Sequence, residues 1–420
     1  MIVRREIIAF LSLILLVSCT RVSETSIERK IEKVEQGLLA EMGDPPWNRM
    51  DLAERMSYYN VPGVSIAVID DYQIEWAKGY GVTESGKNEP VTPETIFQTA
   101  STAKPIVAVA ALHYVETGDL ELDGDVNRKL VSWQVPENEY TDQSPVIMRH
   151  LLSHSGGMTF EGFRGYAQGE AIPNLQQILD GEPPANSPPV RVNFIPGTQY
   201  SYSGGGYMIV EQLLADVIGK PFEVIMEETI LEPLQMNAGT FEYPLPEDLV
   251  ENAASGHRTD GRVIPGGWHT YPEMGAGASS WATPSDIARF YIDIMLTYTG
   301  QSEKILSEEM AVEMLTPQIE NRGLGPWICD DGGDLFHFGH PGANDGYKSY
   351  IVAYPKRGQG LVIMTNSDAG DALYREILNS VTVEYGWVRD YTLLYIGIAF
   401  LLFSGAAGFL IFRKMRTSRS

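Results

Sequence analysis

The sequence predicts an α+β fold, an antiparallel sheet flanked by helices with a mostly helical insertion. Three observations carry this. β-Branched and alternating runs stand early, at Val64–Ile69 and Ile74–Tyr80, and again late, at Tyr347–Tyr354 and Leu361–Asn366. Each pair is joined by a short turn, Asp70-Asp71 in the first and Pro355–Gly358 in the second, so the strands pair antiparallel. Between the pairs, apolar residues recur at helical spacing, broken by long Gly- and Pro-rich loops.

The chain opens with Arg4 and Arg5, followed by a short apolar core from Ile7 to Val17. A basic head before such a core reads as a signal peptide over residues 1–19. It closes on Leu16-Val17-Ser18-Cys19, which is similar to the bacterial lipoprotein box and implies lipidation of Cys19; an ordinary cleavage site is the alternative. Residues 20–60 form an N-terminal helical segment. Glu24 to Met42 carries the apolar stripe Ile27, Ile31, Val34, Leu38 and Leu39, and a second helix lies near Asp51–Tyr59.

The main domain is expected over 61–385, with its sheet at about 61–100 and 335–385 and its helical insertion at about 105–330. Within the insertion, Pro105–Leu112, Val146–Leu152 and Tyr207–Ile218 read as helices, the last stopped by Gly219 and Pro221. Thr283-Pro284-Ser285-Asp286 is a helix start with cap, proline and acid in their favoured places. Gly181–Pro196 reads as an irregular loop, and Ala372–Thr382 as a closing helix.

Leu393–Phe412 is an uncharged run of membrane-spanning length. Arg413, Lys414, Arg416 and Arg419 follow it. This places the 413–420 tail in the cytoplasm and the main domain outside, periplasmic or beyond. Trp387, Tyr391 and Tyr395 fit an interfacial belt. Ser404 and Gly408 have the small-xxx-small spacing of helix pairing, a route to weak homo-association.

The 420 residues hold 31 Lys and Arg against 55 Asp and Glu, a net charge of −24. Such a surface repels nucleic acid and anionic lipid as ligands. Two cysteines cannot build a disulfide scaffold, and Cys329 is expected to be a small buried residue. His337 and His340 have no further ligands near in sequence, so no metal and no cofactor is expected.

Three motifs carry chemistry. Ser101-Thr102-Ala103-Lys104 heads an apolar helix, and residues three apart share a helix face, so the Lys104 amine stands beside the Ser101 hydroxyl. A serine hydroxyl needs such a base to become a nucleophile. Gln199–Tyr207 is a polar, glycine-rich loop before a helix. Tyr202 can act there as a proton relay, its phenolate favoured by the Lys104 cation. Phe338-Gly339-His340-Pro341-Gly342-Ala343-Asn344-Asp345-Gly346 precedes the late hairpin; its glycines admit a substrate backbone, and His340 can orient an anion or act as an acid.

In this order the motifs resemble the serine β-lactamase and penicillin-binding-protein family, near its class C branch. Leu151–Gly157, Gly323–Trp327, Ala282–Ala288 and Leu361–Asp368 match it as well, and the likeness covers roughly Val61 to Asp368. The resemblance implies a β-lactamase/transpeptidase-like fold. It also implies an acylated Ser101, base work shared by Lys104 and Tyr202, and an oxyanion hole from the N–H groups of Ser101 and Ala343, with His340 and Gly342 lining the substrate site. Two departures stand out. The family's second motif, Tyr-x-Asn, is Tyr202-Ser203-Gly204 here, and the third motif carries histidine where the resistance enzymes carry lysine. A partly charged histidine grips a carboxylate less firmly. Both departures lean from β-lactam hydrolysis towards a carboxypeptidase, D-aminopeptidase or esterase acting on a cell-wall stem peptide or an ester. A true class C-type β-lactamase and a catalytically weak scaffolding module of the envelope are the alternatives.

Overall fold

The computed structural model describes residues 26–330 and 332–387. The described residues fall into two compact units, 56–374 and 26–55 together with 375–387.

In the larger unit six strands form one antiparallel sheet in the order β2-β1-β8-β7-β6-β5. They are β1 (Gly63–Asp70), β2 (Gln73–Gly81), β5 (Trp327–Cys329), β6 (His337–Asn344), β7 (Tyr347–Tyr354) and β8 (Gln359–Thr365). β1 is the seam between the early and late strands, with Val64 opposite Tyr80 on one side and Thr365 on the other. Its residues are buried through Ile69, and helix α8 (Pro284–Tyr298) packs against it. Apart from Ser65, Val64–Ile69 is apolar, as suits a strand buried on both faces. The hairpin turns one residue later than the sequence suggests, at Asp71 and Tyr72. Both adopt positive φ (50° and 56°), the backbone of a tight two-residue turn.

The third motif lies on strand β6, inside the 335–385 stretch expected to hold the late part of the sheet, although its Gly339, Pro341 and Gly342 are poor strand formers. Close packing requires the glycines: a Cβ on Gly339 would strike the Ile351 carbonyl oxygen.

A short pair, β3 (Phe97–Gln98) with β4 (Trp281–Ala282), feeds the 3₁₀ turn Ala100–Ala103 and helix α3 (Lys104–Glu116). α3 is buried continuously from Lys104 to Leu112. Helices α4 (Met148–Leu152), α5 (Leu175–Asp180), α6 (Gly204–Ile218), α7 (Phe222–Met226) and α9 (Glu308–Met314) complete the helical part. α6 begins at Gly204, so the glycine run forms its first turn, capped by Ser203, whose Oγ accepts from the Gly206 N–H at 3.1 Å. α8 starts on the capping box expected from Thr283 and Asp286.

In the smaller unit the first helix, α1, spans 26–35 and stops well short of Met42. Beyond it Leu38 bridges Met50. The Ser380 hydroxyl, on α10 (Gly370–Glu384), donates to the Val34 carbonyl at 2.9 Å, and Arg55, on α2 (Leu52–Tyr59), pairs with Glu376 at 2.7 Å. Trp387 is buried there, 1 % exposed, so it does not serve as an interfacial belt residue. Cys329 is exposed at the end of β5, not buried: at the sheet edge its side chain points away from the core. No helix among the described residues is long and apolar enough to cross a membrane. The signal segment 1–19 with Cys19, the span Leu393–Phe412 and the tail 413–420 lie outside the described residues.

Candidate active site

The site is built around the turn between β3 and α3. Ala100 is held at φ +52°, a costly conformation for a residue with a Cβ, immediately before Ser101. Two polar contacts fix the turn. The Thr102 hydroxyl donates to the Thr99 carbonyl at 2.6 Å, and the Ser349 hydroxyl on β7 donates to the same carbonyl at 2.9 Å. Strand β6 lies directly on this turn. A Cβ on Gly342 would strike the Ser349 hydroxyl and come within 2.5 Å of the Thr99 carbonyl. The far end of β6 is tied down by Asn344, whose Nδ2 donates to Gln98 Oε1 and to the Ala278 carbonyl, each at 2.8 Å.

Lys104 Nζ stands 3.1 Å from Ser101 Oγ and donates to the Ala276 carbonyl at 2.7 Å. The side chain is 2 % exposed, and burial pushes its pKa down to about 7. A large share of the amine is therefore neutral near neutral pH, with its lone pair free for the serine proton. The Ala276 loop is anchored from α6, where Glu211 Oε2 accepts the Gly275 N–H at 2.6 Å. Burial holds both Glu211 and the neighbouring Glu273 well above the usual carboxylate range.

Tyr202 contacts the Ser101 hydroxyl, and Lys104 Nζ lies 5.2 Å from its ring centroid. Its pKa is raised, above all by burial; the Ser101 contact and the Arg322 charge only partly offset this. The phenolate expected from the sequence is thus not the resting form, because loss of hydration outweighs the nearby cations. His154 holds the tyrosine in place. Its ring packs on Tyr202 at 4.3 Å, its Nδ1 accepts the Ser203 N–H at 3.2 Å, and its carbonyl accepts the Ser201 N–H at 2.8 Å.

His340 is 3 % exposed. Its Nδ1 is 2.6 Å from the Pro341 carbonyl, and its ring lies 6.1 Å from that of Tyr202. Burial first, and then the Lys104 charge, push its pKa down to about 3. The partly charged histidine of the sequence reading is therefore a neutral imidazole. Gly204 is explained by sterics: a Cβ there would stand 2.9 Å from the Phe163 ring, so that ring crowds the place of the family's asparagine.

The structure thus brings Ser101, Lys104 and Tyr202 into contact, with His340 beside Tyr202 and Gly342 against the turn that carries Ser101. Ala343, the next residue on β6, is exposed. Sequence reasoning assigned no role to His154, Ala276 or Arg322. His154 lies inside the Leu151–Gly157 match and Arg322 immediately precedes Gly323–Trp327, so both stretches carried a signal without a function attached. Ala276 contributes through its carbonyl, which no side-chain pattern reveals. Among the described residues no group of acidic, histidine or cysteine side chains is arranged to hold a metal ion.

Known proteins are similar to this chain over most of its length. Penicillin-binding protein 4 of Amycolatopsis lactamdurans is 24 % identical over 347 residues, 79 % of this chain and 87 % of that protein. Protein flp of Staphylococcus aureus (strain MW2) is 23 % identical over 324 residues, 73 % of this chain but only 60 % of its own length. The octameric penicillin-binding protein homologue from Pyrococcus abyssi superposes with a TM-score of 0.61 at 26 % identity, covering 78 % of this chain and 75 % of that one. The model of the Beta-lactamase family matches residues 49–382, and with the fold built around Ser101 and Lys104 this places the chain in that family of serine hydrolases.

Proposed function

We propose that this protein is a membrane-anchored, extracytoplasmic serine hydrolase that works through an acyl-enzyme on Ser101. The observation that carries the reading is the 3.1 Å contact between Ser101 Oγ and a Lys104 amine whose pKa burial lowers to about 7. Ser101 Oγ attacks a carbonyl carbon as its proton passes to Lys104 Nζ. The oxyanion is held by the backbone N–H groups of Ser101 and Ala343, an arrangement worth on the order of several kcal/mol. Tyr202, protonated at rest, gives its proton to the leaving group as the carbonyl re-forms and the bond between the carbonyl carbon and that group breaks; Lys104 then returns the serine's proton to Tyr202 and is neutral again, leaving the acyl ester on Ser101. Water then hydrolyses the ester at Ser101 by the same route. Anchoring rests on Leu393–Phe412, with lipid on Cys19 as a second attachment.

The substrate class is a peptide, amide or ester of carboxypeptidase-like or esterase-like kind. Gly204, crowded by Phe163, and the neutral His340 favour this over β-lactam hydrolysis. Both leave out groups that the family pattern uses to grip such a substrate. Ser101→Ala is expected to abolish hydrolysis of a chromogenic ester and labelling by an active-site serine probe. Persistent labelling of that variant overturns the reading. A fluorescent penicillin adduct on Ser101 would favour the peptide substrate, and esterase activity without an adduct the ester.

A further inference from the structure

Helix α6 has a second tie to the reacting groups besides Tyr202. Tyr207 and Glu211 lie four residues apart, on one face of this buried helix. The Tyr207 ring centroid is 5.5 Å from Lys104 Nζ, and its hydroxyl donates to the Leu152 carbonyl at 3.1 Å. Glu211, one turn on, is 2 % exposed, and its Oε2 accepts the Gly275 N–H at 2.6 Å. The chain hugs α6 there: a Cβ on Gly275 would stand 2.3 Å from the Tyr207 carbonyl oxygen and 2.7 Å from Glu211 Cβ. Two residues later Gly277, at φ +74°, hugs the turn that carries Ser101, where a Cβ would lie 2.8 Å from the Ala103 methyl and 2.9 Å from the Ala100 carbonyl oxygen. Between these two seats is Ala276, whose carbonyl takes the Lys104 amine at 2.7 Å.

A carboxyl group is costly to bury, and an apolar side chain of the same size avoids that cost. What the Glu211 bond adds is position. Glycine leaves the backbone soft, and glycines stand on both sides of Ala276, so nothing local fixes where its carbonyl points. The close seating of Gly275 and Gly277 stops this segment from moving inward, and the Glu211 bond stops it from lifting off α6. A displaced Ala276 carbonyl carries the Lys104 amine with it. Misplacing a reacting group by about 1 Å can cost about 10²-fold in rate.

We propose that Glu211 is a positioning residue for the general base: through Gly275 it holds the Ala276 carbonyl where that carbonyl aims the Lys104 amine at Ser101 Oγ. The proposal rests on Lys104 being the base. A double-mutant cycle tests it, read by single-turnover release of p-nitrophenolate from p-nitrophenyl acetate. Glu211→Leu fills the same space but cannot accept the Gly275 N–H. It is expected to slow acylation at least tenfold in the otherwise unsubstituted protein and less than twofold in Lys104→Met, where no amine remains to be aimed. A merely structural role slows both backgrounds alike, so an equal loss in the two overturns the proposal. Glu211→Gln keeps an acceptor oxygen and is expected to acylate within threefold of the unsubstituted protein. A larger loss in a folded Glu211→Gln overturns the proposal, and this variant decides the matter even where the leucine variant fails to fold. Lys104→Met acylating at the unsubstituted rate would instead remove the base assignment itself, and the proposal with it.

Discussion

Lys104 has given up its contact with water, and that loss sets the chemistry of the serine beside it. Burial pushes its pKa to about 7, so the amine is protonated below that pH and neutral above it. Only the neutral amine can take the Ser101 proton. The acylation rate is therefore expected to rise with pH through about 7 and then level, as read by single-turnover kinetics with a chromogenic ester. A rate that falls across that range would remove Lys104 as the base. Lys104→Met is expected to lose on the order of 10²–10⁴ in kcat, the usual worth of a general base. Ser101 and Lys104 were legible in the sequence because three-residue spacing on a helix dictates their contact. The charge states of Tyr202 and His340 were not. They depend on how completely other segments, His154 among them, wrap the two rings.

At the scale of elements, strand β6 fits closely against the turn that carries Ser101. Gly342 allows that fit, since any side chain there meets the Ser349 hydroxyl and the Thr99 carbonyl. Gly342→Ala is expected to push β6 off the turn. It should lower kcat/KM by at least tenfold while the thermal midpoint drops only a few degrees, about 1–3 kcal/mol of overpacking cost. Full activity in that variant, followed with the same ester, would show that β6 need not sit so close. The helices of this unit could be read from caps and apolar spacing, as at Thr283–Asp286. β6 was legible only as part of the 335–385 sheet stretch, without its own bounds, because its glycines and proline are residues that strand propensity disfavours.

For the whole molecule, the proposed membrane anchoring rests on charge and hydropathy at the two ends of the sequence. Deleting residues 393–420 is expected to move the protein from the membrane fraction to the soluble fraction of lysed cells when Cys19 is also replaced by alanine. Cys19→Ala alone should abolish incorporation of a radiolabelled fatty acid. Retention of the doubly altered protein in the membrane would mean that another surface anchors it. The sequence by itself determined the α+β class, the early and late strand pairs, the order of the three motifs and the pairing of Ser101 with Lys104. These follow from local spacing and periodicity, which a chain carries wherever it folds. Only the tertiary structure decided that the imidazole of His340 is neutral, that Tyr202 stays protonated, that Phe163 crowds the place of an amide and that Glu211 anchors the loop that receives the Lys104 amine. Each of these depends on desolvation or contact between segments far apart in the chain, and no local pattern records how much water such an encounter removes.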